Sequence, residues 1–430
     1  MSDKKYDYVI VGSGAGGATL AKELSSKGKT VAVIEKGKKE NKLGGFFDCY
    51  RYYDVNRFTM MPPKSKEGVV VWRSFMAGGP TVVCCGNGVR CLEEELAEFG
   101  INLEEEFNEA EDEMKITPYD TRRLSSGGKK ILEASTDLGY KMEAMPKFID
   151  PKKCRRCGNC QYGCAYGAKW TAVEFLDEAE KNGADIFYNH IVDKVITENG
   201  TAKGVSLTKG NISKIDANAV ILSAGGLATP VIMQKSGLDK AGSNFFEDML
   251  VNTYGVAKGL DQTNEPTMAI VDHEFHKSEG FILSPFIHQS RPVRYIELGI
   301  RGMLMPTEGL LGIMAKTADD SVGRVYPDGS FSKTITDTDR KRLDRGAEVS
   351  KEILLKAGAD SKSIVHSNIS GGHPGGTAAI GEIVDKDLQT EVNNLFACDA
   401  SVLPKAPGLP PILTIVALAK RLSKMLVTQR

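Results

Sequence analysis

The sequence carries almost no net charge. Its 55 Lys and Arg nearly balance 56 Asp and Glu, for a formal charge of -1. No strongly basic or acidic field therefore points to nucleic acid or to a membrane surface. Long hydrophobic runs are missing too. No apolar stretch approaches the ~20 residues that span a bilayer, so no transmembrane segment is expected. The opening Met1-Ser2-Asp3-Lys4-Lys5 has no apolar leader and runs into a strand-like segment, which makes the cytoplasm the expected compartment. Internal repeats and low-complexity linkers are also absent.

What is present supports a large core. The chain has 430 residues and is 41% hydrophobic, enough for on the order of two or three domains. The lysine-rich run at 36–42 reads as a solvated loop. Nine cysteines are many for a cytosolic protein. The odd count and the size argue against a disulfide scaffold.

Residues 6–11 form a β-branched apolar run, and Gly12-Ser-Gly-Ala-Gly-Gly17 follows at once. Residues 18–27 read as an amphipathic helix and 29–35 as a second apolar strand, which together make a βαβ unit. In this setting the glycines form a dinucleotide fingerprint. Gly12 permits the tight turn, Gly14 lets backbone approach a pyrophosphate, and Gly17 lets the helix pack closely on the sheet. The helix N-terminus offers free N–H groups and a positive dipole to the phosphates. Glu35 ends the second strand, where its carboxylate is placed to accept hydrogen bonds from the ribose hydroxyls.

Farther on, 37–100 looks irregular and 102–145 helical and charged. A helix is predicted near 171–181, strands at 186–196, 203–208 and 219–224, and short strands with turns over 251–335. Thr336 is a candidate N-cap for a helix to 357. A strand at 395–400 and a proline-started helix at 411–427 end the chain. The fold class expected is α/β: a Rossmann-like nucleotide domain with an interleaved antiparallel-sheet substrate domain. The boundaries expected are 1–100, 183–250 and 360–430 for the nucleotide domain, 101–182 for a helical insert and 251–359 for the substrate domain.

The fingerprint alone does not separate FAD from NAD. Val220 to Pro230 resembles the late strand and loop of flavoproteins with two dinucleotide folds, and Leu395 to Ser401 resembles their flavin-contacting strand, whose acidic residue is here Asp399. The tail is more specific. His373-Pro-Gly-Gly-Thr377, Cys398-Asp-Ala-Ser-Val-Leu-Pro404 and Pro410-Pro-Ile-Leu-Thr-Ile415 follow in the order and spacing of three segments of the glucose-methanol-choline (GMC) oxidoreductases. With residues 6–37, Gly78-Gly79 and Arg90, the chain resembles a short member of that family.

The resemblance implies non-covalently bound FAD and oxidation of a CH–OH group of a small-molecule substrate. It places His373 over flavin N5, handling the substrate proton while hydride passes to N5. Gly78 and Gly79, the backbone of Val192, Asp399, Pro411 and Ile412 are implied flavin contacts. The helix begun at Pro411 would aim its positive end at the flavin N1/O2 edge. Three positions depart from the family. Pro410 and Pro411 stand where a second His or Asn is usual. Cys84 stands where an Asn is usual. No His lies in the loop after Gly79, so no histidyl-flavin bond is expected.

Cys154-Arg-Arg-Cys157-Gly-Asn-Cys160-Gln-Tyr-Gly-Cys164 has the ferredoxin spacing for a [4Fe–4S] cluster. Zinc and plain cysteines of an insert are the other readings, and Cys84, Cys85 and Cys91 are either spare ligands or buried thiols. Lys152, Lys153, Arg155 and Arg156 would offset cluster charge or dock an acidic protein electron carrier. The expected enzyme passes electrons from flavin through this cluster to an external carrier. The competing readings are a flavin-dependent C=C reductase or dehydrogenase of a lipid or terpenoid, and an electron-transfer subunit with a fixed redox partner.

Overall fold

A computed structural model describes residues 4–56 and 58–428. Met1 to Asp3, on which the leader-free reading rests, lie outside the described residues. Two sheets organise the chain. The first holds five parallel strands in the order Asp185–Tyr188, Val31–Glu35, Tyr6–Val11, Lys214–Leu222 and Leu395–Ala397. Every residue of Val31–Glu35 is buried, as a strand covered on both faces requires. The other half of Lys214–Leu222 turns outward and pairs antiparallel with Thr201–Lys209, which carries Ile191–Glu198 at the edge.

Helix Ala15–Ser26 crosses from the first strand to the second and packs on both Ala172–Lys181 and the last helix, Ile412–Thr428. The predicted helix starts earlier than its periodicity indicated because Ala15, Gly16 and Gly17 are already buried in its first turn. The last helix is fastened through a charge. Lys420 is 2% exposed, and its ammonium lies 2.9 Å from Glu23, 3.1 Å from Glu113 and 3.5 Å from Glu109. One cation thus ties the final helix to the first and to Glu104–Glu113.

The second sheet is antiparallel at its centre, in the order Met249–Val256, Leu310–Thr317, Phe281–Pro285 and Ile270–Asp272. Short edge strands come from Val70–Val71, Met142–Ala144 and Ser370–Gly371. Within 101–182, Glu104–Glu113 packs on the last helix and Ala172–Lys181 on the first, while Ser126–Asp137 packs on Asp337–Lys356 and Met142–Ala144 extends the second sheet. Side-chain alternation splits this sheet between two cores. Met249, Val251, Ile313 and Ala315 face helix Asp337–Lys356, while Leu250, Met314 and Phe286 face the first sheet.

Thr336 is the N-cap of helix Asp337–Lys356, as expected, and the structure adds a capping box that Asp339 closes. The region 251–335 is not all strand and turn. Arg291–Leu298 and Ile300–Leu304 are helices, pinned by the buried Arg294, whose guanidinium donates to the carbonyls of His288, Gln289, Gly302 and Met305. Replacement of Lys420 by Met leaves three carboxylates without their buried partner. Lys420→Met is expected to cost about 2 kcal/mol, read as a lowered Tm and an earlier denaturant midpoint.

Candidate active site

Between the two sheets lies a cavity of about 590 Å³. Its walls include Gly12, Gly14, Glu35, Gly79, Val192, His373, Asp399, Pro411 and Ile412. Residues from both ends of the sequence are thus brought to one space.

The glycine loop is shaped by backbone contacts. Gly12 has φ +99°, and a Cβ there would meet the Ser223 carbonyl oxygen at 2.2 Å. A Cβ on Gly17 would meet the Gly12 oxygen at 2.1 Å, whereas one on Gly14 would meet nothing within 4 Å. Gly14 therefore opens the helix N-terminus to the cavity, and Gly17 is confined to packing. Gly78 also lies off the wall. It is left-handed, and a Cβ would strike Val173 at 2.7 Å. These positions fit the cradle a pyrophosphate needs.

Glu35 is buried, and burial raises its pKa. Its carboxylate accepts from Ser13 N (3.1 Å), Ser13 Oγ (2.6 Å) and Gly37 N (2.7 Å). It thereby holds the fingerprint loop as well as facing the cavity. Asp399 accepts from Thr229 Oγ1 (2.6 Å), Gly225 N (2.8 Å) and Ser401 N (2.7 Å), which fixes it beside the loop after the fourth strand. Val192 sits between two register irregularities of its strand pair. The last helix begins at Ile412, directly after Pro411, so its N-terminus meets the cavity.

His373 follows the short strand Ser370–Gly371, and its backbone N–H donates to the Glu247 carbonyl. Its Nδ1 lies 2.9 Å from Asp248 Oδ2. Asp248 is 0% exposed, and its other oxygen accepts from Gly408 N at 2.8 Å. Lys316, 2% exposed, places Nζ 3.3 Å from His373 Nδ1 and 3.4 Å from Asp248 Oδ2. Asp248 Oδ2 is the nearer partner of Nδ1 and favours the tautomer in which Nδ1–H donates to it, with Nε2 as the lone-pair nitrogen. Burial, and then the Lys316 charge, hold the His373 pKa below its ordinary value. The imidazole is therefore a neutral base at pH 7.

Asp248 and Lys316 were not found from the sequence. Lys316 left one signal, a charge inside the otherwise apolar strand Leu310–Thr317. Pro410 and Pro411 both line the cavity and offer no donor. Leu250, Met268, Phe286, Val293, Ile296 and Met314 give this end apolar surface, interleaved with the polar Asn87, Asn252, His288 and Glu297.

Cys154, Cys157, Cys160 and Cys164 lie beside the cavity and do not line it. Among the described residues, no three His, Cys, Asp or Glu groups close on one point as a bound metal ion requires. The predicted ligand set is therefore not assembled as a metal site here, and Cys164 Sγ accepts instead from Ala168 N. The thiols remain neighbours: Cys154 feels the charge of the other three. Cys84 and Cys85 line the cavity, and Cys91 is a buried thiol at Thr414. All nine cysteines are free.

Comparison with known proteins agrees with this arrangement. Family models described as GMC oxidoreductase match residues 6–251 and 317–419. An uncharacterized protein of Methanocaldococcus jannaschii is 32% identical over 97% of this chain and 98% of its own length. A long-chain-alcohol oxidase of Arabidopsis thaliana is 25% identical, over 99% of this chain and 68% of its own. Pyridoxine 4-oxidase from Mesorbium loti superposes with a TM-score of 0.75 at 16% identity, covering 99% of this chain and all of that one. The fold is thus the FAD-binding, Rossmann-like fold of such flavoenzymes, and the chain belongs to the GMC oxidoreductase family.

Proposed function

We propose that the protein is an FAD-dependent oxidoreductase that oxidises the CH–OH group of a largely apolar alcohol. The observation that carries this reading is the Asp248–His373 contact at the wall of the cavity. Asp248 orients the ring, and His373 Nε2 takes the proton of the substrate hydroxyl. Bound FAD supplies the acceptor for the hydride. The residues for holding it are Gly12, Gly14 and Glu35 at the nucleotide end, with Gly79, Val192, Asp399, Pro411 and Ile412 along the cavity. The N-terminus of the last helix faces the cavity, where its positive potential would favour the negative charge of a reduced flavin. The apolar wall from Leu250 to Met314 suits an alkyl or ring substrate, in keeping with a relative named for long-chain alcohols.

A second element of the reading is an iron–sulfur cluster on Cys154, Cys157, Cys160 and Cys164. One feature favours it: the buried Lys169, which no carboxylate among the described residues pairs, donates to the Cys160 carbonyl of the thiol loop. The flank Lys152, Lys153, Arg155 and Arg156 is exposed and is the face proposed for an acidic electron carrier.

His373→Ala is expected to retain FAD yet lose reduction by 1-dodecanol by at least about 100-fold, read by anaerobic stopped-flow at the flavin absorbance. An unchanged rate refutes the assignment. In the unaltered protein the reduction rate is expected to stay flat at neutral pH. It should fall only below the ordinary histidine pKa of about 6.5, as His373 gains its proton. Gly17→Ala forces a Cβ into the Gly12 carbonyl. At an overpacking cost of roughly 1–3 kcal/mol, FAD retention on gel filtration is expected to fall about tenfold or more.

A further inference from the structure

Asn252 and Glu297 are 1% and 6% exposed, and both line the cavity together with His288. Glu297 Oε1 accepts from Asn252 Nδ2 at 2.8 Å and lies 3.4 Å from His288 Nε2. Its Oε2 accepts from the Tyr254 hydroxyl at 2.7 Å. A carboxylate oxygen takes only donors, so the Asn252 amide is turned with its N–H on Glu297 and its Oδ1 elsewhere. That Oδ1 is buried and has no hydrogen-bond partner among the described residues, and neither has His288 Nδ1. Buried polar atoms are normally paired with protein, water or ligand. Here two residues that share one carboxylate oxygen each leave a polar atom unanswered.

Strand register sets where this group stands relative to the catalytic pair. Leu250 is opposite Lys316 and Asn252 is opposite Met314. Lys316 touches His373. Leu250 and Asn252 share one face of their strand, about 7 Å apart along it. An alcohol held at His373 and running along this strand therefore passes Leu250 and Met314 before it meets Asn252.

The unanswered atoms narrow what can end there. Asn252 Oδ1 requires a donor. His288 Nδ1 requires a donor when the ring is neutral and an acceptor when it is charged. A carboxylate cannot donate, and Glu297 repels it. Burial works to raise the Glu297 pKa, yet His288, Tyr254 and Asn252 together hold it below its ordinary value, so it is an anion at pH 7. An ammonium cannot accept. A hydroxyl does both.

We infer that the substrate is an alcohol with an apolar middle and a second hydroxyl, which binds at Asn252 Oδ1 and His288 Nδ1 while the first is oxidised at His373. Asn252 and His288 are the specificity residues that touch the second hydroxyl. Glu297 is a positioning residue that orients both. This inference deepens the alcohol-oxidation reading and rests on it.

The test uses the FAD-loaded full chain. Anaerobic stopped-flow reads flavin reduction by diols from 1,4-butanediol to 1,10-decanediol, each against the 1-alkanol of equal length. One diol of the series is expected to exceed its 1-alkanol in second-order rate by at least about tenfold, after correction for its two equivalent ends. Asn252→Leu removes the acceptor and is expected to bring this ratio to about one or below. A general structural defect slows both substrates and leaves the ratio, so the ratio reports on the subsite. Should Asn252→Leu not hold FAD, His288→Phe is expected to move the same ratio in the same direction. Every 1-alkanol matching or exceeding its diol in the unaltered protein overturns the inference and leaves the alcohol reading standing. An unchanged ratio in the variant does the same. Flavin that neither series reduces removes the reading and the inference together.

Discussion

The site depends on close approaches of backbone to backbone at glycines. A Cβ on Gly16 would stand 2.0 Å from the Cys398 carbonyl oxygen, and one on Gly12 would stand 2.2 Å from that of Ser223. The turn after the first strand is therefore pressed between the ends of two others, Lys214–Leu222 and Leu395–Ala397. Only glycine allows that contact. It seats the first helix on the C-terminal segment, so the nucleotide cradle is completed by residues almost four hundred positions away.

Once that closure is made, the remaining geometry is a question of where charge can be buried. Asp248 is wholly buried and has three partners: the His373 ring, the Lys316 ammonium and the Gly408 N–H. Such an anion is tolerated only when its lone pairs are all answered. The result is a histidine whose tautomer and charge state are both set from behind, while its other nitrogen is left for chemistry. Lys147 and Lys169 form the opposite case, cations answered only by neutral oxygens. That asymmetry separates the two: the buried carboxylate is answered by charge, the lysines by neutral oxygens.

Much of the fold was legible in local pattern. The βαβ unit, its glycines, the Thr336 N-cap and the tail from His373 to Ile415 are contiguous signals, each set by neighbours a few residues apart. The helices over 291–304 were not legible. Pro292, Gly299 and Gly302 interrupt their periodicity, and their hold on the structure is Arg294 bonding to carbonyls that no sequence pattern marks. The ferredoxin spacing points to a [4Fe–4S] ligand set, yet among the described residues the four thiols are neighbours that are not assembled as a metal site. Whether the thiols close on a metal ion depends on loop geometry that spacing alone does not define.

The sequence by itself determined that a glycine turn would meet a helix N-terminus, and that a histidine-bearing tail would return to it. Those features are local, and backbone sterics decide them. Only the tertiary structure decided which charges share a partner. Asp248 and His373 are 125 residues apart, Lys316 and His373 57, and Lys147 and Thr267 120. The energy of a buried charge is set by the few atoms around it after folding, and those atoms come from segments with no shared pattern in the chain.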